Sequence, residues 1–232
     1  MKKRLFLLDA YALIFRGYYA FIKNPRINSK GLNTSAILGF MNSLFEVIKK
    51  EKPDHLAVAF DKGGSVARTE LFTDYKANRE ETPEAIRLAI PYIHEILKAL
   101  HIPIIEKEGY EADDIIGTLG RLAEKDSFDV TIVSGDKDLI QLTDEHTVVE
   151  ISKKGVAEFE AFTPDYLMEK MGLTPAQFID LKALMGDKSD NIPGVTKIGE
   201  KTGIKLLMEH GSLEGIYENI DGMKASKMKE NL

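Results

Sequence analysis

Short apolar runs and helix-period segments alternate through the first two-thirds of the chain. Runs of strand length read at about 4–9, 55–61, 102–106, 129–135 and 146–151. Between them, residues 34–50 place Ile37, Leu38, Met41, Leu44, Phe45 and Ile48 at i, i+3, i+4, i+7 spacing, and Pro53 ends the pattern. Residues 83–100 repeat it with Ile86, Ile90, Ile93, Ile96, Leu97 and Leu100, while 111–125 predict a third helix with Ile115, Ile116, Leu119 and Leu122 inward. This alternation is the βαβ signature of a mostly parallel central sheet, so the fold class expected is α/β. Two stretches break the rhythm. Residues 62–82 contain Lys62, Arg68, Tyr75, Lys76 and Arg79, lack a long apolar face and exceed an ordinary connection in length. Beyond about residue 162 the pattern turns purely helical: Thr163-Pro164 and Thr174-Pro175 are two N-cap-plus-proline starts, and no further strand-like run appears.

Carboxylates stand where these patterns change. Asp9 closes Leu5-Phe6-Leu7-Leu8, Asp61 closes Leu56-Ala57-Val58-Ala59-Phe60, and Asp136 comes directly after Val130-Thr131-Ile132-Val133-Ser134-Gly135. The carboxyl ends of parallel strands are where open α/β sheets bind ligands. Glu111, Asp113, Asp114, Asp138, Asp187 and Asp190 bring the set to nine. Gathered together they would repel one another unless something cationic intervened, and an all-oxygen, cysteine-free set points to Mg²⁺ or Mn²⁺ rather than zinc. Each cluster also has a plainer reading. Acids are favoured in a first helical turn, Asp138 can cap a short helix over 139–142, and Asp187 with Asp190 can be a solvated turn. If a helix starts near residue 111, Glu111 and Asp114 share a face while Asp113 points elsewhere, so the tetrapeptide can reach more than one ion. Gly135, just ahead of Asp136, permits a turn that aims Asp136 and Asp138 at one point.

Composition narrows the partners. The chain has 232 residues, 44% apolar and 29% charged, which suits a globular protein with a substantial core. No apolar run approaches the roughly 20 residues of a membrane span. Met1-Lys2-Lys3-Arg4 is basic, but Asp9, Tyr11 and Arg16 interrupt the apolar stretch behind it, unlike a signal peptide; a cytoplasmic protein without membrane contact is expected. There is no cysteine, hence no disulfide or thiolate site, and the five histidines lack ligand spacing. A net charge of −6 argues at face value against nucleic acid. Set aside the nine acids as neutralised by bound cations, however, and the remainder is positive, with Lys and Arg concentrated in 76–87 and 182–205.

The cluster Gly186-Asp187-Lys188-Ser189-Asp190-Asn191 runs on into Ile192-Pro193-Gly194-Val195-Thr196-Lys197-Ile198-Gly199-Glu200-Lys201-Thr202. Gly-Val-x-x-Ile-Gly followed by a helix is the helix-hairpin-helix pattern, in which backbone N–H groups and a helix N-terminus meet a DNA phosphate. Lys197, Lys201 and Lys205 add charge along the same track. The plainer alternative is an αα-hairpin whose glycines serve only tight turning.

Seven motifs, in order and nearly end to end, resemble the flap endonuclease family, in particular the 5′-nuclease domains found at the N-terminus of bacterial DNA polymerase I. They are Leu7-Leu8-Asp9, Ala59-Phe60-Asp61, Tyr75-Lys76-Ala77-Asn78-Arg79, Gly109-Tyr110-Glu111-Ala112-Asp113-Asp114, Gly135-Asp136-Lys137-Asp138-Leu139, residues 186–195, and Ile198-Gly199-Glu200-Lys201-Thr202. The resemblance implies a PIN-like nuclease core over 1–161 with an arch inserted at about 62–82. It also implies a helical DNA-binding region over 162–232, of helix-three-turn-helix type, with the hairpin motif at about 186–208. It makes Asp9, Asp61, Glu111, Asp113, Asp114, Asp136, Asp138, Asp187 and Asp190 a pocket for two or more Mg²⁺ ions, with Mn²⁺ able to substitute and K⁺ at the hairpin. Lys76 and Arg79 are then the arch residues that approach the scissile phosphate. Arg16, Tyr19, Gly194, Val195, Lys197, Gly199, Lys201, Thr202 and Lys205 contact DNA, with Tyr18 or Tyr19 alternatively packing on the core. Gly203 stands where the family usually has alanine, a cost of up to ~1 kcal/mol to an exposed helix.

The implied activity is two-metal-ion hydrolysis of DNA phosphodiesters at 5′ ends and 5′-flap junctions, in primer removal and repair. The alternatives are a PIN-type ribonuclease and a non-catalytic, structure-selective DNA-binding module. A monomer is expected, and the helical pattern running into Met228-Lys229-Glu230-Asn231-Leu232 suggests a polymerase continuing in cis.

Overall fold

The computed structural model describes residues 2–153, 159–223 and 226–232. The chain divides into two compact units, Met1–Val66 with Glu81–Phe162, and Ala67–Glu80 with Thr163–Leu232. Among the described residues no helix is long and apolar enough to cross a membrane.

The first unit is built on a six-stranded sheet. Its strands are β1 (Arg4–Asp9), β2 (His55–Phe60), β3 (Ile104–Glu106), β4 (Asp129–Ser134), β5 (Thr147–Ser152) and β6 (Phe159–Phe162), in the order β3-β2-β1-β4-β5-β6. All neighbours are parallel except β5 and β6. The central strand β1 is covered on both faces, with Phe6, Leu7 and Leu8 buried, which is why it reads as an unbroken apolar run. Helices α1 (Ala10–Ala20), α2 (Ser35–Glu51), α4 (Glu84–Ala99) and α5 (Ala112–Lys125) complete the layers, and α3 (Val66–Leu71) begins at the edge of this unit. The chain enters and leaves β1 so that β2 and β4 flank it, which makes the carboxyl ends of β1 and β4 a topological switch point.

Helix faces depart from the sequence expectation. In α2, Ala36, Phe40, Leu44 and Val47 face inward, whereas Leu38, Phe45 and Ile48 are exposed. The turn of the helix is set by its contact with α1: a Cβ on Gly39 would lie 2.2 Å from the Gly17 Cα. Backbones that close leave no room for a large apolar row at that line. In α5 the inward row closes on Gly120 and Ala123, and Leu122 is exposed rather than inward; Leu100 likewise lies exposed beyond α4. Strand β6 was not legible as one, being four residues long with Glu160 interrupting its apolar positions.

The second unit packs α6 (Pro164–Met171), α7 (Pro175–Met185), α8 (Glu200–His210), α9 (Leu213–Glu218) and α10 (Lys227–Asn231). Leu173, Leu181, Leu184, Ile198, Leu206, Leu207 and Ile216 form its core. Both Thr-Pro helix starts hold. Thr163 Oγ1 accepts from Tyr166 N–H at 3.1 Å, and Thr174 Oγ1 accepts from Gln177 N–H at 3.2 Å while Gln177 Oε1 accepts from Thr174 N–H at 3.0 Å. The region is not purely helical, however: β7 (Gly186–Asp187) pairs antiparallel with β8 (Ile192–Pro193). That pairing needs glycine, since Gly186 has φ +66° and a Cβ on it would fall 2.2 Å from Gly194 N.

Candidate functional site

In the first unit, Asp9 is the last residue of β1 and the N-cap of α1. Its Oδ1 accepts from Ala12 N–H at 3.2 Å and its Oδ2 accepts from the Ser134 hydroxyl at 2.6 Å. Burial pushes this carboxyl up to about 6; the two hydrogen bonds oppose that rise, and the charges of Asp61 and Asp136 add to it. Three strand-end acids therefore share one electrostatic neighbourhood. Asp61 comes just after β2, and its Oδ1 accepts from Ala112 N–H at 2.8 Å, tying that strand end to the start of α5. Glu111 is the buried N-cap of α5, and its N–H donates to Asp114 Oδ2 at 3.1 Å. Asp113 and Asp114 stand in the first helical turn, where the helix dipole favours acids.

Asp136 lies two residues past β4 and caps a 3₁₀ turn over Lys137–Leu142, its Oδ1 accepting from Asp138 N–H at 2.8 Å. Asp136, not Asp138, is thus the cap, and the turn begins two residues ahead of the expected one. Gly135 does not adopt a left-handed conformation. What orients Asp136 is instead its own N–H, which donates to Ser134 Oγ at 2.9 Å. Beside these acids, Arg16 lines an open depression with Ala12, Gly135, Asp136, Lys137 and Ser152. Its guanidinium donates to the Lys153 carbonyl, and burial lowers its pKa from the ordinary value. Tyr19 is exposed, whereas Tyr18, 5.2 Å from it ring to ring, packs on the core.

In the second unit, residues 74–79 clasp the turn between β7 and β8. Asp190 accepts from Arg79 Nη2 at 2.5 Å on Oδ1 and from the Tyr75 hydroxyl at 3.3 Å on Oδ2, with Lys76 Nζ 3.9 Å from Oδ2. Lys76 itself sits at φ 56°, and its N–H donates to the Asp190 carbonyl at 2.9 Å. Asn78 Nδ2 donates to the Lys188 carbonyl at 2.7 Å, and Asn191 Nδ2 to the Asp74 carbonyl at 2.8 Å. Against the desolvation it suffers, Asp187 is held well below the usual carboxylate range by Lys182, 2.7 Å away, and by the hydroxyl and N–H of Ser189.

The hairpin continues with Val195 N–H donating to the Leu184 carbonyl at 2.8 Å, and Ile198 buried beneath. Gly194 is packed against backbone, its hypothetical Cβ 2.1 Å from Met185 O, while Gly199, the N-cap of α8, has open space around it. Lys197, at φ 68°, and Lys201 and Lys205 are exposed; Thr202 is half-buried. Gly203 is buried rather than exposed, and a Cβ there would meet Leu181 Cδ1 at 2.5 Å, so the glycine answers a packing constraint.

The structure thus brings Asp9, Asp61, Glu111, Asp113, Asp114, Asp136 and Asp138 to strand ends and helix starts of one unit, and Asp187 and Asp190 to one turn of the other. Among the described residues, no three His, Cys, Asp or Glu side chains could hold a metal ion as placed. The donor set nonetheless suits a hard divalent cation: every group is a carboxylate, and Asp9 is destabilised as an anion by burial and further by the charges of Asp61 and Asp136. Sequence reasoning passed over Ser134, Lys182 and Ser189. For Ser134 the available signal was a hydroxyl ending an apolar run directly before Gly135-Asp136.

The chain belongs to the 5′-3′ exonuclease family: the N-terminal resolvase-like domain of that family matches residues 4–172, and its C-terminal SAM fold matches residues 173–232. The family comprises hydrolases of phosphodiester bonds. The DNA polymerase I of Streptococcus pneumoniae strain R6 is 66% identical over 100% of this chain and 27% of its own length; that of Bacillus subtilis is 47% identical over 100% and 26%. The chain therefore spans about a quarter of the length of the relatives it matches. Among solved structures, the T5 5′-exonuclease with zinc ions bound superimposes with a TM-score of 0.79 at 25% identity, covering 99% of this chain and 83% of that one. The catalytic core of Rad2 in complex with DNA substrate, at 20% identity and TM-score 0.65 over 99% of this chain and 71% of that one, shares the fold.

Proposed function

We propose that this chain is a structure-specific 5′ nuclease that hydrolyses DNA at 5′ ends and 5′-flap junctions with two or more Mg²⁺ ions, in primer removal and DNA repair. The observation that carries the reading is the buried Asp9 at the switch point of the sheet, coupled in charge to Asp61 and Asp136. Such a group is costly to a fold unless a cation offsets it. Glu111, Asp113, Asp114 and Asp138 extend the oxygen set, and Asp187 and Asp190 are ion-binding carboxylates of the same nuclease. When bound, the divalent ions would supply a hydroxide nucleophile at neutral pH and a counter-charge for the leaving 3′ oxygen.

The chain's own residues do the rest. Lys76 and Arg79 neutralise the phosphate where charge develops. Arg16 binds the 5′ strand through its guanidinium and Tyr19 offers an exposed ring for stacking. Gly194 and Gly199 present backbone N–H groups to the duplex, Val195 contacts it between them, and Lys197, Lys201, Thr202 and Lys205 lie alongside. K⁺, if bound, would be held by the hairpin around residues 194–199 and would supply positive charge for a DNA phosphate. In this reading 1–161 is the nuclease part, 62–82 its arch and 162–232 the duplex-binding part, in a monomeric cytoplasmic protein with a polymerase in cis.

The test uses matched 5′-flap, 3′-flap and single-stranded RNA substrates with Mg²⁺ or chelator, on wild type and D136A. Mg²⁺-dependent cleavage of the 5′ flap alone, lost in D136A with the fold retained, is the expected result. Cleavage by D136A at wild-type rate under saturating Mg²⁺ would sink the site assignment. RNA cleavage would make the chain a ribonuclease, and tight flap binding without cleavage would make it a binding module.

A further inference from the structure

We infer that Ser134 is a positioning residue for the strand-end carboxylates, its hydroxyl fixing the orientation of Asp9 and linking it to the backbone of Asp136. Ser134 ends β4 and is fully buried. A buried hydroxyl is costly unless its hydrogen-bonding capacity is used. Here the direction of the chain is unambiguous, because Asp136 N–H can only donate and the Asp9 carboxylate can only accept. The sequence of bonds is Asp136 N–H to Ser134 Oγ at 2.9 Å, then Ser134 O–H to Asp9 Oδ2 at 2.6 Å. The second is as short as charge-assisted O–H···O⁻ bonds are. Each bond in such a chain polarises the next.

The consequence lies in what remains free. Asp9 Oδ1 is occupied by Ala12 N–H at 3.2 Å, so both oxygens are held and the carboxylate plane cannot rotate without breaking a bond. A carboxylate has about four lone-pair sites, so each held oxygen keeps one for another partner, in a fixed direction. Because β1 and β4 are adjacent, with Leu8 opposite Val133, the same hydroxyl also sets the distance between the two strand ends that carry Asp9 and Asp136. Partners of this kind behind a ligating carboxylate are worth roughly 10–100-fold in metal affinity.

The inference rests on the proposed ion site, and the test separates the two. The full chain is titrated with Mn²⁺, free ion being read by EPR, for wild type, S134A, S134T and D136A, with melting in chelator as the check on folding. S134A is expected to bind Mn²⁺ about tenfold more weakly, and S134T, which keeps the hydroxyl, to return to within about threefold of wild type. If D136A loses Mn²⁺ but S134A binds like wild type, whatever its melting temperature, the hydroxyl is merely structural and the inference is overturned. If D136A binds like wild type, the ion site itself is misassigned. Should the extra methyl of S134T prevent folding, S134C, a weaker donor, is expected between S134A and wild type; affinity at or below that of S134A would equally overturn the inference.

Discussion

Asp9 makes the ion-free protein sensitive to pH in a direction opposite to that of most carboxylates. Its folded carboxyl is raised, chiefly by burial, from 3.8 to about 6. Between these values the folded state holds a proton that the unfolded chain has released, so stability falls as pH rises through the window. Below about pH 4 the group contributes nothing, because both states are protonated. Above about pH 6 the full cost is present, about 3 kcal/mol for a shift of roughly two pKa units. D9N removes the titration. Its amide cannot accept from both Ala12 N–H and Ser134, so its absolute stability includes a hydrogen-bond loss, but that loss does not vary with pH. The quantity to read is the difference between wild type and D9N in chelator, from urea unfolding at pH 5 and pH 7.5. D9N should gain on wild type by about 1 kcal/mol between these two pH values, since part of the cost is already present at pH 5. Saturating Mg²⁺ should recover wild-type stability at pH 7.5 and leave D9N unmoved. A wild type minus D9N difference that does not change with pH in chelator would refute the claim that Asp9 is destabilised as an anion.

Asp187 should show the opposite sign: its pKa is depressed by Lys182 and Ser189, so its contribution is present above about pH 4 and lost as pH falls below it. D187N should therefore cost about 1 kcal/mol at neutral pH, with its unfolding curve merging with wild type in acid; a constant offset at every pH would contradict the pairing. K76A and R79A should each depress kcat on a 5′ flap by about 100-fold while leaving duplex affinity within about threefold, and a loss confined to binding would contradict their role. G39A drives a Cβ to 2.2 Å from the Gly17 backbone and should destabilise by about 3 kcal/mol in urea unfolding. A shift below about 0.5 kcal/mol would mean that α1 and α2 are not in backbone contact.

Strands β1, β2 and β4 were legible because burial on both faces of their carboxyl halves turns them into apolar runs, and the acids were legible because a charge directly after such a run stands out from the core. Helix faces were read less well. Counting large apolar residues in 34–50 favours Leu38, Phe45 and Ile48, yet the contact that orients α2 is made by Gly17 and Gly39, residues that carry no hydrophobic signal. Gly203 misleads in the same manner: by propensity it weakens a helix, whereas Leu181 fills the space a side chain would need. Ser134 could not be found by charge or period; only its place directly before Gly135-Asp136 sets its hydroxyl apart from that of Thr131 in the same run.

Helix capping by the acidic clusters does not compete with the ion binding proposed for them. Asp9, Asp114 and Asp136 each accept a backbone N–H at a helix or 3₁₀ start, and Asp61 accepts the first N–H of α5. A backbone N–H is fixed by the helix it begins, so each bond holds the carboxylate against that helix end and narrows the directions its remaining lone pairs can face. Capping therefore holds repelling carboxylates in place in a way that suits the proposed cations, with Ser134 adding to Asp9 a side-chain bond that backbone alone does not supply.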